Sequence, residues 1–254
     1  MAQQESEIKL KGRAGGLSFY KNSKGYQARS AKGVDPKRIA KDPSFKRSRE
    51  NASEFGRAVK AAKYLRNVLG PLLIHQTDGT MVNRLNSRLT RILKADDVNL
   101  RGERQVNIVN AEMLRFFDFN RNAPLHETLL ASYQVHVDTS AGHVLIQLPA
   151  FYPKVAIVSP AKATHFRLVA AAVQLDFSDM GSQLYPELST QTTEVLPIMR
   201  QVQSLSLALP ITEESVGSTV VVVLGLLFFE EFLGELYPMK AKKARPLGIV
   251  DVRR

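Results

Sequence analysis

The stretch VVVVLGLLFFEEFLGELYP, from Val220 to Pro238, is the most apolar part of the chain and constrains its fold most. Its uncharged portion ends at Phe229, which is too short to span a bilayer. It is rich in β-branched and aromatic side chains and strand-like on both faces, so it reads as a buried strand. The sequence around it supplies neighbours. THFRLVAAAVQLDFS is a long strand, VQSLSLALPI alternates strictly, and LLASYQVHVDTSAGHVLIQLPA reads as two strands around Asp138–Gly142. VNIVN, at residues 106–110, also alternates, and LGIVDVRR closes the chain as a last strand. Strands at this spacing, separated by turn signals, predict an antiparallel β-sandwich over residues 105–254.

The preceding residues follow a different period. Asp35-Pro36 and Asp42-Pro43 each place a capping carboxylate before a proline at the first helical position. Phe45, Ala52, Phe55, Val59, Ala62, Leu65 and Leu69 then recur at helical spacing until Gly70-Pro71. A further helix follows Asp78, with Met81, Val82, Leu85, Leu89, Ile92 and Leu93 on one face, and stops near Ala95-Asp96-Asp97. Before residue 35 the chain is hydrophilic and basic, with a hairpin signal around Asn22-Ser23-Lys24-Gly25. A two-stranded hairpin of this composition is marginal alone and must pack on something. The predicted fold class is therefore α+β: a basic N-terminal arm or hairpin (1–34), a short helical segment (35–104) and a C-terminal antiparallel β-sandwich (105–254).

Charge is distributed unevenly. The chain carries a net +11, divided as +13 over residues 1–104, −7 over 105–239 and +5 over 240–254. Basic ends around an acidic middle suit either a polyanion or the acidic face of a second copy. Cysteine is absent, which excludes disulfides and thiolate chemistry and fits a reducing compartment. No apolar run follows the basic N-terminus, so the expected location is cytoplasmic, with no secretory signal and no membrane partner.

Motifs with chemistry are scarce. KGRAGG lacks the glycine spacing and the preceding strand of a dinucleotide loop, and there is no nucleophile elbow or phosphate loop. His136 and His143 flank a turn but have no third ligand nearby, and His165 begins a strand. Glu230 and Glu231 are successive strand residues, which point to opposite faces and cannot converge on one substrate. Asp176 and Asp179 read as a strand-ending turn. No enzyme, metal site or cofactor is expected.

GLSFYKNSKGYQARS, DPSFKRSRENASEFGRA, LPAFYP with ATHFRLVAAAVQLDF, and FFEEFLGELYPMK together resemble a family of uncharacterised proteins common in Bacteroidota, over most of the chain from Gly12 onward. The resemblance implies a non-secreted bacterial protein with a basic GLSFYK-type arm and a later β-domain. It carries no activity and no catalytic residues.

Two function classes remain. The first, favoured because the arm's aromatics alternate with small residues as in strands, is a non-enzymatic structural protein that assembles with itself into a homo-oligomer or filament. Its arm would insert Leu17, Phe19, Tyr20 and Tyr26 against a neighbour and set Arg29 and the arm's lysines on that neighbour's acidic surface. The second is a nucleic-acid-binding protein that uses the basic arm and the helix face, with a stripe of Arg84, Arg88 and Arg91 at i, i+4 and i+7, and Lys60, Lys63 and Arg66 before it, tracking phosphates.

Overall fold

A computed structural model describes all residues except 1, 6, 31–32, 75, 181–184, 213–217 and 254, and divides into two compact units, Met1–Ala52 and Ser53–Arg254. In the first unit, β1 (Ala2–Gln3), β2 (Gly12–Ala14), β3 (Leu17–Asn22) and β4 (Gly25–Ser30) form an antiparallel sheet in the order β1-β4-β3-β2. The predicted hairpin is its centre. Asn22 pairs with Gly25, the Asn22 side chain accepts a hydrogen bond from Lys24 N at 2.9 Å, and Gly25 takes a φ of 101°. That φ favours glycine for want of a Cβ. Cross-strand partners share a face, so the register sets Leu17, Phe19 and Tyr26 on one side of the sheet and Tyr20 and Arg29 on the other. None of the described residues of this unit is buried.

Both predicted proline-proximal caps are present. Asp35 accepts from Lys37 N at the start of α1 (Pro36–Lys41), and Asp42 accepts from Ser44 N at the start of a 3-10 turn (Pro43–Phe45). The turn leads into α2 (Lys46–Val68), and the division between the units falls within this helix.

In the second unit, α2 is followed by the single turn α3 (Gly70–Leu73), by α4 (Met81–Lys94) and by the short helices α5 (Ile108–Ala111), α6 (Leu125–Thr128) and α7 (Pro153–Ala156). The strands are β5 (Gln134–Asp138), β6 (His143–Leu148), β7 (His165–Leu175), β8 (Ser189–Thr192), β9 (Leu196–Pro197), β10 (Leu205–Pro210), β11 (Thr219–Phe232), β12 (Glu235–Pro238) and β13 (Leu247–Arg253). They make two antiparallel sheets. One has three strands, in the order β10-β6-β5. The other has six, in the order β12-β11-β7-β8, with β13 also on β11 and β9 also on β7.

The six-stranded sheet is covered on both faces. Val169, Ala171, Val173 and Leu175 of β7 and Val221 and Val223 of β11 join α2 and α4 in one core. The intervening residues, Phe166, Leu168, Ala170 and Ala172 with Val220, Val222, Leu224, Leu226 and Phe228, join the three-stranded sheet in the other. The helices from residue 53 onward therefore share a core with the sheet, whereas the divisions at 34 and 104 follow composition. VNIVN departs from the strand expectation. Asn107 accepts a hydrogen bond from Asn110 N at 2.9 Å and caps α5, so a local side-chain bond outweighs the alternation.

Gly225 sits where β11 meets β13. A Cβ there would lie 2.7 Å from both Leu247 Cδ1 and the Pro246 carbonyl oxygen, and the carbonyl is backbone that cannot swing aside. Gly225→Ala is expected to lower unfolding free energy by about 1–3 kcal/mol, as forced overpacking does, when measured by denaturant titration.

Candidate polyanion-binding surface

The helix α4 contains Arg84, Arg88, Arg91 and Lys94 and no carboxylate. Its inner face is apolar: Met81, Leu85, Leu89, Ile92 and Leu93 are buried against the sheet and α2. This fixes the rotation of the helix and turns Asn83, Asn86, Ser87, Thr90, Arg91 and Lys94 toward an open cavity of about 470 Å³ that Phe55 of α2 also lines. A second cavity, of about 340 Å³, is lined by Arg84, Ser87, Arg88 and Arg91 together with Phe116, Phe117, Asp118, Arg121 and Pro124. Ser87 and Arg91 line both, so the concave surface runs across the helix.

The three arginines of the predicted stripe differ in role. Arg84 is held in place. It pairs with Asp78, donates from Nη1 to the Asp118 carbonyl at 2.7 Å, and lies over the Phe117 ring at 5.2 Å from its centroid. Arg88 donates from Nη1 to the Met113 carbonyl at 2.8 Å. Arg91 is exposed, and its guanidinium has no partner among the described residues. The same is true of the Arg121 side chain, which sequence reading missed because it lies outside any helical stripe. Its backbone N–H donates to Asp78 Oδ2 at 2.8 Å, and this bond brings it to the mouth of α4. Lys60, Lys63 and Arg66 line neither cavity. Lys60 and Lys63 are exposed on α2, and Arg66 is half-buried with an Nε that has no hydrogen-bond partner.

Several nearby carboxylates are turned inward, while Asp97 and Glu103 stay exposed. Glu54, 2% exposed, accepts from Gly102 N at 2.8 Å. Asp96, also 2% exposed, accepts from the N–H groups of Val98 and Gln105 and from the Asn99 side chain. Burial by itself would raise the Asp78 carboxyl. Hydrogen bonds from the Thr80 hydroxyl, from the Arg121 and Thr80 amides and from Arg84 outweigh it and hold the carboxyl well below the usual carboxylate range. Asp118 is the carboxylate that lines the cavity. Burial pushes it up, against the Leu125 N–H at 2.8 Å and the charges of His126 and Arg84. Positive charge therefore faces outward here, and much of the compensating negative charge is used on backbone amides.

The other sequence candidates stay apart. His136 pairs with Leu145 and His143 with Asp138, so the two histidines are not opposite each other on the hairpin. Among the described residues no group of three or more His, Cys, Asp or Glu is placed to hold a metal ion. Asp176 accepts from Ser178 N at 2.7 Å in a turn. Among the described residues no helix is long and apolar enough to cross a membrane.

Fold and surface together define an α+β protein with an acid-free helix presented beside a guanidinium-lined concavity. Comparison with family models, curated proteins and solved structures finds no match for the chain.

Because the folded-state pKa of Asp78 is depressed, its stabilisation is present above the unfolded value of about 3.9 and is lost as pH falls below it. Asp78→Asn is expected to cost about 1.5–3 kcal/mol at neutral pH, as loss of hydrogen bonds to a charged group does. The gap between wild type and variant should narrow as thermal unfolding is followed down to about pH 2.

Proposed function

We propose that the chain is a non-enzymatic binding protein whose α4 surface takes the phosphate backbone of a nucleic acid. One observation carries this reading: Arg91 and Arg121, separate in sequence, line the same cavity beside an acid-free helix, and neither guanidinium has a partner among the described residues. Guanidinium groups bind phosphate oxygens in a planar fork, and release of condensed counterions drives the association. Asn83, Asn86, Ser87 and Thr90 add neutral hydrogen-bonding groups to the same surface. The absence of cysteine supports a cytoplasmic location.

A second reading is self-assembly through the first unit, supported by a different observation. Its sheet sets Leu17, Phe19 and Tyr26 on one face, Leu17 is 42% exposed, and none of the unit's described residues is buried. A small sheet that buries so little gains from a second copy of the same face, while Tyr20 and Arg29, with the guanidinium 5.5 Å from the ring centroid, occupy the other.

Fluorescence anisotropy with labelled oligonucleotides over a salt titration tests the first reading. Arg91→Gln with Arg121→Gln should weaken binding and make the log–log salt slope shallower by about 0.7–0.9 for each phosphate no longer neutralised, without changing the thermal midpoint. An unchanged slope would remove this surface from the interface. For the second reading, Leu17→Ser with Phe19→Ser should reduce the particle mass measured by light scattering while the circular dichroism of the fold is kept. A wild-type chain that is monomeric at high concentration and low salt would exclude it.

A further inference from the structure

Phe116 is the residue that the phosphate-binding reading leaves unused. It is 66% exposed, it lines the cavity that holds Arg91 and Arg121, and its backbone has a φ of 62°. That left-handed conformation brings the Cβ of an L-residue against the following carbonyl, and glycine or asparagine occupies it with less strain. The backbone path explains why the conformation is needed. The chain leaves a 3-10 turn at Glu112–Leu114 and joins the edge of β13, where Phe116 N donates to the Ile249 carbonyl at 2.8 Å and Phe119 N to the Leu247 carbonyl at 2.8 Å. It does not explain the side chain. A phenyl ring left largely in water contributes little burial at a position where its own Cβ is strained. Strain combined with exposure at a cavity wall points from structure to function.

The ring already carries one partner, the Arg115 guanidinium, 5.0 Å from its centroid. An aromatic ring supported by a cation and set beside unpaired guanidiniums is a stacking platform: phosphates lie on the arginines and a base lies on the ring. In a duplex the bases are stacked on one another and cannot offer a face to such a ring, whereas a single strand can splay them. We propose that this surface recognises single-stranded nucleic acid, with Phe116 stacking an unpaired base while Arg91 and Arg121 hold the adjoining phosphates. The proposal rests on the phosphate-binding reading and deepens it by naming the form of the ligand.

The test uses the full chain, fluorescein-labelled oligo(dT), a duplex of equal length, and inorganic polyphosphate, which has charge but no bases. Wild type should bind oligo(dT) more tightly than the duplex at matched salt. Phe116→Gly relieves the backbone strain, so its thermal midpoint should stay level or rise. Its affinity for oligo(dT) should fall roughly tenfold, within the range that removing one stacked base–ring pair produces, and its affinity for polyphosphate should not change. Phe116→Tyr should retain binding. A Phe116→Gly variant that binds oligo(dT) like wild type, or loses oligo(dT) and polyphosphate equally, overturns the stacking role. If Arg91→Gln with Arg121→Gln still weakens polyphosphate binding in that case, the phosphate surface survives and the single-strand assignment alone fails. If neither the arginine nor the phenylalanine variants change any binding, both readings fall.

Discussion

The second unit depends on the two-sided burial of β7 and β11. Alternate residues of these paired strands enter different cores, one shared with α2 and α4 and one shared with the three-stranded sheet. A one-residue slip of either strand would exchange the two sets, moving the alanine and valine row meant for the helices onto the sandwich side. The pairing runs unbroken from Thr219 opposite Leu175 to Phe229 opposite His165, and both cores inherit that register. Small residues at Ala170, Ala171 and Ala172 let the layers approach closely, and larger ones at Phe166 and Phe228 fill the far end of the sandwich core.

β13 adjusts to this arrangement by a local irregularity. Its register on β11 shifts between Val222, opposite Asp251, and Val223, opposite Ile249, leaving Val250 as an extra residue. The bulge lets Ile249 and Val252 both face the helical core, which strict alternation forbids for residues three apart. It also leaves Asp251 1% exposed, with Oδ2 accepting a hydrogen bond from Arg253 Nε at 2.9 Å and Oδ1 in an ion pair with Arg115 Nε at 3.4 Å but without a hydrogen bond. The segment that carries Phe116 and Asp118 runs along this same strand, with Asp118 bridged to Gly248. The candidate surface is thus built against the edge of the sheet and on the outward face of a helix whose inward face is committed to the core.

The electrostatics follow from the packing. Residues 53–104 carry both signs of charge, but Glu54, Asp78 and Asp96 fold back onto backbone amides, where each satisfies N–H groups that would otherwise lack partners. The cations have long stems and remain at the surface. A mixed composition therefore presents more positive than negative charge at the surface, where Asp97 and Glu103 remain exposed, through the difference in reach between aspartate and arginine.

Much of the secondary structure in both units was readable from sequence. The long strands β7 and β11, the hairpin of β5 and β6, the alternating β10 and the closing β13 all follow from apolar periodicity, and the caps at Asp35 and Asp42 follow from carboxylate–proline pairs. These are local signals with a local cause. The arginine stripe on α4 was equally legible, but the split among its members was not, because Asp118 and Met113, which occupy Arg84 and Arg88, are distant in sequence. α5 was misread because one asparagine side chain competed with the alternation. By itself the sequence determined the long helices and strands, most of their apolar faces, though Phe55 and Val82 of the expected helical faces are exposed, and where the positive charge lies. Only the tertiary structure decided that the helices and the three-stranded sheet cover opposite faces of one sheet, and that Arg121 and Phe116 stand beside Arg91. Those decisions rest on hydrogen bonds and packing between residues far apart in the chain, such as Phe116 with Ile249, and such partners leave no periodic trace in the sequence.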